Sequence, residues 1–301
     1  MTWKQILFGW AYFATFIVSV IAMLLWQKRY RKRRKPLPED LRLLRTPGET
    51  QLMWIRKFDE NLIVYVALAG IVPAVITVVL LQLTKQLTGW WVLVGLVVTS
   101  VIFIGTFIIA ARWLKTKLSE SIDRYLGYFG ERYVAEWLDP LREQGWRVFH
   151  DMPCEAHGKK FNIDHVAVGL GGVFVIETKT RRKGPTRPGR KDNEVIFDGH
   201  VLDWPWGTDT HGLEQAERNA IWLADWIKAE TSERVHVSPL LALPGWWVIP
   251  KPAANPRLAR VVNPKWLPKW LGEAPAILGK QQMETIAGKL ETHCRSIKYG
   301  D

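Results

Sequence analysis

Residues 163–180 read Ile-Asp-His-Val-Ala-Val-Gly-Leu-Gly-Gly-Val-Phe-Val-Ile-Glu-Thr-Lys-Thr, and this stretch predicts the fold of the second half of the chain. Two runs rich in β-branched residues, 163–168 and 173–180, flank the loop Gly169-Leu170-Gly171-Gly172. Such runs on either side of a short glycine-rich loop are typical of a β-hairpin. We therefore expect two antiparallel strands joined by a four-residue loop.

The register of this hairpin brings three charged side chains together. If Val168 pairs with Val173, antiparallel pairing places Asp164 directly opposite Glu177, and Lys179 points to the same face as Glu177. Two like charges so placed repel each other unless a cation lies between them. The arrangement predicts a site for Mg²⁺ or Mn²⁺ held by Asp164 and Glu177. Lys179 would orient a water molecule or offset charge at a scissile phosphate.

Segments around the hairpin predict a soluble domain of mixed helices and strands. The Asp198-Gly199 dipeptide favours a second hairpin with a two-residue turn. The expected elements are, in chain order, an amphipathic helix over 118–138, a strand over 147–150, a polar turn over 154–160, the second hairpin, a helix over 211–230, strands over 235–243 and 246–249, and a last helix near 280–297.

Four segments in this region form an ordered set of motifs: Gly130-Glu-Arg-Tyr-Val-Ala-Glu-Trp-Leu138, Asn162-Ile-Asp-His-Val166, Gly172-Val-Phe-Val-Ile-Glu-Thr-Lys179 and Gln215-Ala216. The set resembles the nuclease-related domain (NERD), a branch of the PD-(D/E)xK restriction-endonuclease-like superfamily. Ile163 stands where the superfamily name has proline. The resemblance covers roughly residues 127–226 and implies an α/β restriction-endonuclease-like core with a central mixed sheet.

The resemblance also implies roles for five side chains. Asp164 and Glu177 would bind the metal, and Lys179 would assist the attacking water. Glu131 would complete or orient the metal ligands. Gln215 would contact the nucleic acid or position the lysine.

Six basic side chains follow the hairpin on a loop rich in proline and glycine: Arg181, Arg182, Lys183, Arg187, Arg190 and Lys191. They predict an arm that grips phosphates without sequence preference. A solvated loop near anionic lipid is an equally open interpretation.

Several aromatic and histidine side chains have a structural interpretation beside a functional one. His165 adjoins Asp164 but points to the other side of its strand, which favours a structural role. For the tryptophans, core packing and membrane-surface contact are favoured over stacking on unpaired bases. These tryptophans include Trp204, Trp206, Trp222, Trp226, Trp246, Trp247, Trp266 and Trp270.

Three apolar stretches near the start are long enough to cross a bilayer: Ile6 to Trp26, Leu62 to Leu83 and Trp90 to Ala111. The basic block 28–35 fixes one end of the first stretch in the cytoplasm. The expected topology has the N-terminus outside and the soluble domain at the cytoplasmic face of a bacterial inner membrane. The spans carry no charged residue in their interior, which argues against a transporter.

The expected organisation has five segments. They are a first transmembrane helix (1–27), a basic cytoplasmic linker (28–61), a transmembrane hairpin (62–111), the nuclease-related domain (118–249) and a Pro/Trp-rich extension with a helix (250–301). The formal net charge of +12 predicts attraction to nucleic acid or to an anionic bilayer.

Two hypotheses for function follow. The first is a membrane-anchored, metal-dependent nuclease acting on nucleic acid, with DNA favoured over RNA. Nucleases that cut both strands often form dimers, so a homodimer is compatible with this hypothesis. The second is a non-catalytic nucleic-acid-binding or membrane-scaffolding module that retains the nuclease fold.

Overall fold

The computed structural model describes residues 11–12, 15, 18–19, 22–23, 25–26 and 41–298. The described residues between 11 and 26 are helical. The rest of the predicted span Ile6–Trp26 and the basic block 28–35 lie outside the described residues. The chain divides into two units, one from its two ends, Met1–Leu44 with Arg295–Asp301, and one from Arg45 to Cys294.

The elements are numbered here in chain order. The helices are α1 (Glu49–Thr84), α2 (Trp91–Leu138), α3 (His211–Thr231), α4 (Leu267–Gly272) and α5 (Lys280–Cys294), with 3₁₀ helices at Asp139–Gln144 and Pro264–Trp266. The strands are β1 (Leu43–Leu44), β2 (Arg147–Ala156), β3 (Lys159–Gly169), β4 (Gly172–Thr178), β5 (Glu194–Phe197), β6 (Leu202–Trp204), β7 (Gly207–Asp209), β8 (Val237–Ala242), β9 (Trp247–Pro250), β10 (Arg260–Val262) and β11 (Arg295–Ile297). In the first unit, β1 pairs with β11 in antiparallel orientation.

The larger unit contains a five-stranded mixed sheet in the order β10-β8-β4-β3-β2. The strands β2, β3 and β4 are antiparallel, whereas β4, β8 and β10 are parallel. Apolar side chains of α3 and α5 form one core cluster with this sheet, and those of α2 and α4 form another. The result is an α/β core with a mixed sheet, in agreement with the fold class expected from the sequence.

The hairpin of β3 and β4 has the expected register. Val168 pairs with Val173, and the ladder extends to His165 opposite Ile176. Its loop is shorter than expected, because Gly169 and Gly172 also pair with each other.

Two other turns differ from expectation in length. Ala156 pairs with Lys159, so only His157 and Gly158 remain of the polar turn expected over 154–160. Both have positive φ, as a tight two-residue hairpin turn requires. The second hairpin is instead wider than expected, since Phe197 pairs with Leu202 and the Asp198 carboxylate accepts two backbone N–H groups within the loop.

The C-terminal part adds to this core. β10 extends the central sheet by pairing with β8, and α4 and α5 pack against its two faces. A second sheet has the order β7-β6-β5-β9. The segment after Ile249 is therefore continuous in structure with the residues expected to form the nuclease-related domain.

Within the described residues, two helices, α1 and α2, are long and apolar enough to cross a membrane, where three spans were expected. α1 begins at Glu49, inside the segment expected to be a linker, and α2 runs unbroken from Trp91 to Leu138. No glycine or proline interrupts residues 112–118, so the helix continues past the expected end of the span. Glu131 follows Ala111 by 20 residues, which places it about 30 Å further along the helix axis.

Candidate active site

Five side chains expected to form the site come from four elements. Asp164 lies on β3, Glu177 and Lys179 lie at the end of β4, Glu131 lies on α2 and Gln215 lies on α3. We call the buried acids Glu131, Asp164 and Glu177 the carboxylate cluster.

Glu177 and Lys179 form the centre of the site. The Lys179 ammonium donates to Oε1 of Glu177 at 2.8 Å and to Oε1 of Gln215 at 2.9 Å. Burial opposes the positive charge, but the carboxylates of Glu177 and Asp164 outweigh burial and raise the pKa of Lys179. Lys179 is therefore a fixed, protonated cation at neutral pH.

Asp164 is held by the backbone of the strand beside it. Its Oδ2 accepts the N–H of Thr178 at 2.8 Å, one residue past the position that the register places opposite it. Burial, followed by the charges of Glu177 and Glu131, raises the pKa of Asp164 well above its ordinary value. Asp164 therefore lies within the field of both other acids.

Glu131 brings the third carboxylate from α2. The side chain is buried, and burial with the charges of Asp151 and Glu177 raises its pKa to about 8. Gln51 donates a hydrogen bond to this carboxyl group, but Oε2 has no hydrogen-bond partner among the residues that the structure describes. One oxygen of this carboxyl group is thus without a partner inside the described part of the cluster.

Two glycines let the helices approach the end of β4. A Cβ at Gly130 would lie 2.0 Å from Cγ2 of Thr180, so α2 can pass this close only without a side chain there. A Cβ at Gly212 would meet Cγ of Lys179 at 3.1 Å, at the start of α3. Glycine therefore brings both helices against the strand that carries the site.

The charges of the site fit a divalent cation, whereas its ligand geometry is incomplete. Three buried carboxylates face one ammonium group, and carboxylate oxygens are ligands that Mg²⁺ prefers. Yet no group of three or more His, Cys, Asp or Glu side chains in the described part of the chain is arranged to hold a metal. An ion would thus use one or two of these carboxylates, with water and substrate phosphate as further ligands, as is usual for Mg²⁺.

Residues 126–244 match the family model of the nuclease-related domain. No curated protein and no solved structure matches the chain. The match includes all five expected site residues and ends just after β8.

Asn219 lies in the matched region and contacts the candidate site, and sequence reasoning missed it. Its amide donates to Oε2 of Glu177 at 3.0 Å, so both oxygens of Glu177 are bonded. Asn219 follows Gln215 by four residues, and this spacing puts both on one side of a helix. That spacing was the signal in the sequence.

Sequence reasoning also missed a set of contacts that links residues 126–244 to residues that precede them in the chain. Asp151, which is fully buried, is paired with Arg45 and accepts hydrogen bonds from Thr50 at 2.8 and 2.9 Å. Asn162 donates to its other oxygen at 2.6 Å. Arg45 and Thr50 precede the apolar part of α1, so the chain on both sides of the apolar hairpin contributes to this region.

The cations of the basic loop are paired with acidic neighbours. Each of its six cations has a carboxylate partner: Arg181 with Asp209, Arg182 with Asp123, Lys183 with Asp192, Arg187 and Arg190 with Asp203, and Lys191 with Glu194. Arg187 and Arg190 also donate to backbone carbonyls of β6. Phosphate binding by this loop stays a prediction. It would require the arginines and lysines to leave their carboxylate partners and bind phosphate instead.

His165 adjoins Asp164 in the chain, and its ring contacts the ring of His150. It is fully buried, and its Nδ1 lies 2.9 Å from Nδ1 of His150. Burial, followed by the charge of His150, lowers the pKa of His165 well below its ordinary value. A neutral histidine in the core is consistent with the structural role favoured by the sequence.

Proposed function

We propose that the chain is a membrane-anchored, metal-dependent nuclease that hydrolyses phosphodiester bonds of nucleic acid, with DNA favoured over RNA. The observation that carries the proposal is the carboxylate cluster, in which three buried acids share one ammonium group. The match to the nuclease-related domain supports the same chemistry.

In this proposal Asp164 and Glu177 hold Mg²⁺ or Mn²⁺, and Glu131 completes or orients the set. The bound cation would polarise the scissile phosphate and lower the pKa of a water molecule. Lys179 acts as a fixed cation that offsets the negative charge developing on the phosphate, since its raised pKa keeps it protonated. Gln215 and Asn219 hold the lysine and Glu177 in this arrangement.

Membrane anchoring is supported by the character of α1 and α2. In the most apolar stretch of each, 6% of the residues are buried, whereas a core helix of a soluble protein would be mostly covered. We place the domain at the cytoplasmic face of a bacterial inner membrane because basic residues flank the hairpin, including Arg56, Lys57 and Arg112.

The test uses the full chain in detergent, because Arg45 and Thr50 contact the nuclease-related domain from outside it. Supercoiled plasmid and a structured RNA are incubated with the protein in Mg²⁺, in Mn²⁺ and in EDTA. We expect metal-dependent cleavage that Asp164→Asn and Lys179→Ala abolish. Asp225→Asn, at an exposed position of α3, is the matched control and should cleave normally. Equal cleavage by Asp164→Asn would refute the proposal.

The second candidate is a non-catalytic nucleic-acid-binding module. Two observations favour it: no three-ligand metal group lies among the described side chains, and Glu177 is already bonded through both oxygens. This function predicts salt-sensitive binding of nucleic acid with no turnover in either metal. Calorimetric titration with Mn²⁺ separates the two, because only the nuclease requires a metal affinity that Asp164→Asn removes.

A further inference from the structure

The carboxyl ends of three parallel strands meet at one edge of the central sheet. Thr178 of β4, Ala242 of β8 and Val262 of β10 are in register. Neighbouring strands lie about 4.8 Å apart, so the end of β10 is about 10 Å from the end of β4. The segments that follow these strands therefore emerge beside one another. One of them carries Lys179.

The segments after β8 and β10 present exposed tryptophan rings at this edge. Trp247 follows β8, and Lys265 and Trp266 follow β10. Trp270 on α4 lies instead over Arg260, at the start of β10. Trp247 and Trp266 are 51% and 48% exposed. The Lys265 ammonium lies 5.1 Å from the ring centre of Trp247 and 5.7 Å from that of Trp266. We call Trp247, Lys265, Trp266 and Lys269 the tryptophan–lysine surface.

The lysines of this surface differ from the cations of the basic loop in their partners. Residues 247–272 contain five basic side chains and no acidic one, and Arg257 among them is paired with Glu217 of α3. Among the residues described by the structure, Lys265 and Lys269 form no ion pair, whereas every cation of the loop 181–191 is paired with a carboxylate. Lysines outside any ion pair, beside exposed aromatic rings, complement a polyanion with flat, uncharged groups.

We propose that the tryptophan–lysine surface binds an unpaired segment of nucleic acid and leads it to the carboxylate cluster. The inference rests on the proposed function, to which it adds a substrate class: single strands, or duplexes with unpaired ends. Bases stack on Trp247 and Trp266 whatever their sequence, while Lys265 and Lys269 contact the phosphates. Its place at the edge that carries Lys179 favours nucleic acid over a lipid surface as the partner.

The experiment measures binding of the full chain in non-ionic detergent to a fluorescent 20-nucleotide oligothymidine and to a 20-base-pair duplex. EDTA is present, so cleavage cannot occur. Each change of Trp247 or Trp266 to alanine should weaken binding of the single strand about 5- to 150-fold, because a stacked base contributes about 1–3 kcal/mol. Duplex affinity should stay within about threefold of the parent protein, which also shows that the variants are folded.

Two further variants sharpen the result. Lys265→Gln should lower the slope of log K against log salt by about 0.7, the value for one contact with a single strand. Tyr133→Ala is the matched control, since Tyr133 is an exposed aromatic residue on α2 and should leave single-strand affinity unchanged.

Unchanged single-strand affinity in the Trp247→Ala, Trp266→Ala double variant would overturn the inference, and so would an equal loss for the duplex. If the surface faces lipid instead, brominated lipid should quench tryptophan fluorescence in the parent protein, and the double variant should lose this quenching. Oligonucleotide binding would then be the same in both proteins, and this result would also refute the inference. Because binding is read without metal, a protein that binds through these rings but never cleaves refutes only the proposed function. Cleavage with normal binding by the variants refutes only this inference.

Discussion

Replacing Glu131 by glutamine should stabilise the metal-free protein at high pH. Burial and the charges of Asp151 and Glu177 raise the pKa of Glu131 from 4.5 to about 8. Between these two values the folded state binds a proton that the unfolded state has lost. The free energy of unfolding therefore falls as pH rises from 4.5 to 8, and this part of the stability is fully present only below pH 4.5. Glutamine keeps the shape of the side chain and has no proton to lose.

The size of the effect follows from the shift. A pKa raised from 4.5 to about 8, at about 1.4 kcal/mol per tenfold change in proton affinity, gives an upper limit of about 5 kcal/mol above pH 8. For a domain of this size, 1 kcal/mol moves the melting temperature by about 2–4 °C. We therefore expect Glu131→Gln to melt at most about 10–20 °C higher than the parent protein at pH 9, and to differ little at pH 5.

The assay is thermal unfolding of the full chain in detergent, followed by tryptophan fluorescence from pH 5 to pH 9 in EDTA. Addition of Mg²⁺ should reduce the gain, since a cation offsets the charge that Glu131 carries at high pH. A variant that melts no higher than the parent protein at pH 9 would refute the reasoning, because the carboxyl group would then not be held neutral by its surroundings.

Three more predictions concern side chains that position the site. If the proposed function holds, Gln215→Ala should reduce turnover about 10- to 100-fold with little change in KM, because it removes one of the two hydrogen bonds that hold the Lys179 ammonium. Gly130→Ala should destabilise the protein by about 1–3 kcal/mol through the 2.0 Å contact described above, whereas Gly127→Ala, whose added Cβ has its nearest neighbour at 3.9 Å, should stabilise it by about 1 kcal/mol. Arg45→Ala should cost about 3–5 kcal/mol by leaving Asp151 buried without its cation.

Each of these has a contrary outcome. Steady-state kinetics showing that Gln215→Ala raises KM alone would place the glutamine on the substrate rather than on the lysine. Equal melting temperatures for the Gly130 and Gly127 variants would mean that α2 can shift away from Thr180. Chemical denaturation should show that Asp151→Asn restores part of the loss in Arg45→Ala, and no recovery would assign the loss to packing.

The central part of the site was predictable because its geometry is local. Strand pairing has a period of two, so the glycine loop alone sets the register that brings Asp164 and Glu177 together. Gln215 and Glu131 came from the family resemblance, which gives their order along the chain. Asn219 could have been identified from its four-residue spacing to Gln215, but its side chain is uncharged and was not singled out.

The connection between Asp151 and Arg45 could not be predicted in this way. The two residues are 106 positions apart, and both apolar helices lie between them. The periodicity of a helix or a strand does not predict a contact between residues so far apart in the sequence. The same limit applies to β10, a three-residue strand in a Pro/Trp-rich segment that joins the sheet only through its neighbour β8.

The unbroken helix α2 has an electrostatic consequence for the proposed membrane anchor. Glu131 lies about 30 Å along the axis from the expected end of the span. At physiological ionic strength the potential of charged lipid headgroups decays over about 8 Å. If the helix stands upright on the bilayer, a phosphodiester held at the carboxylate cluster is several decay lengths away, so the negative surface of the membrane would barely repel it. The helix then acts as a rigid spacer, which allows an anchored protein to handle a polyanion beside an anionic bilayer.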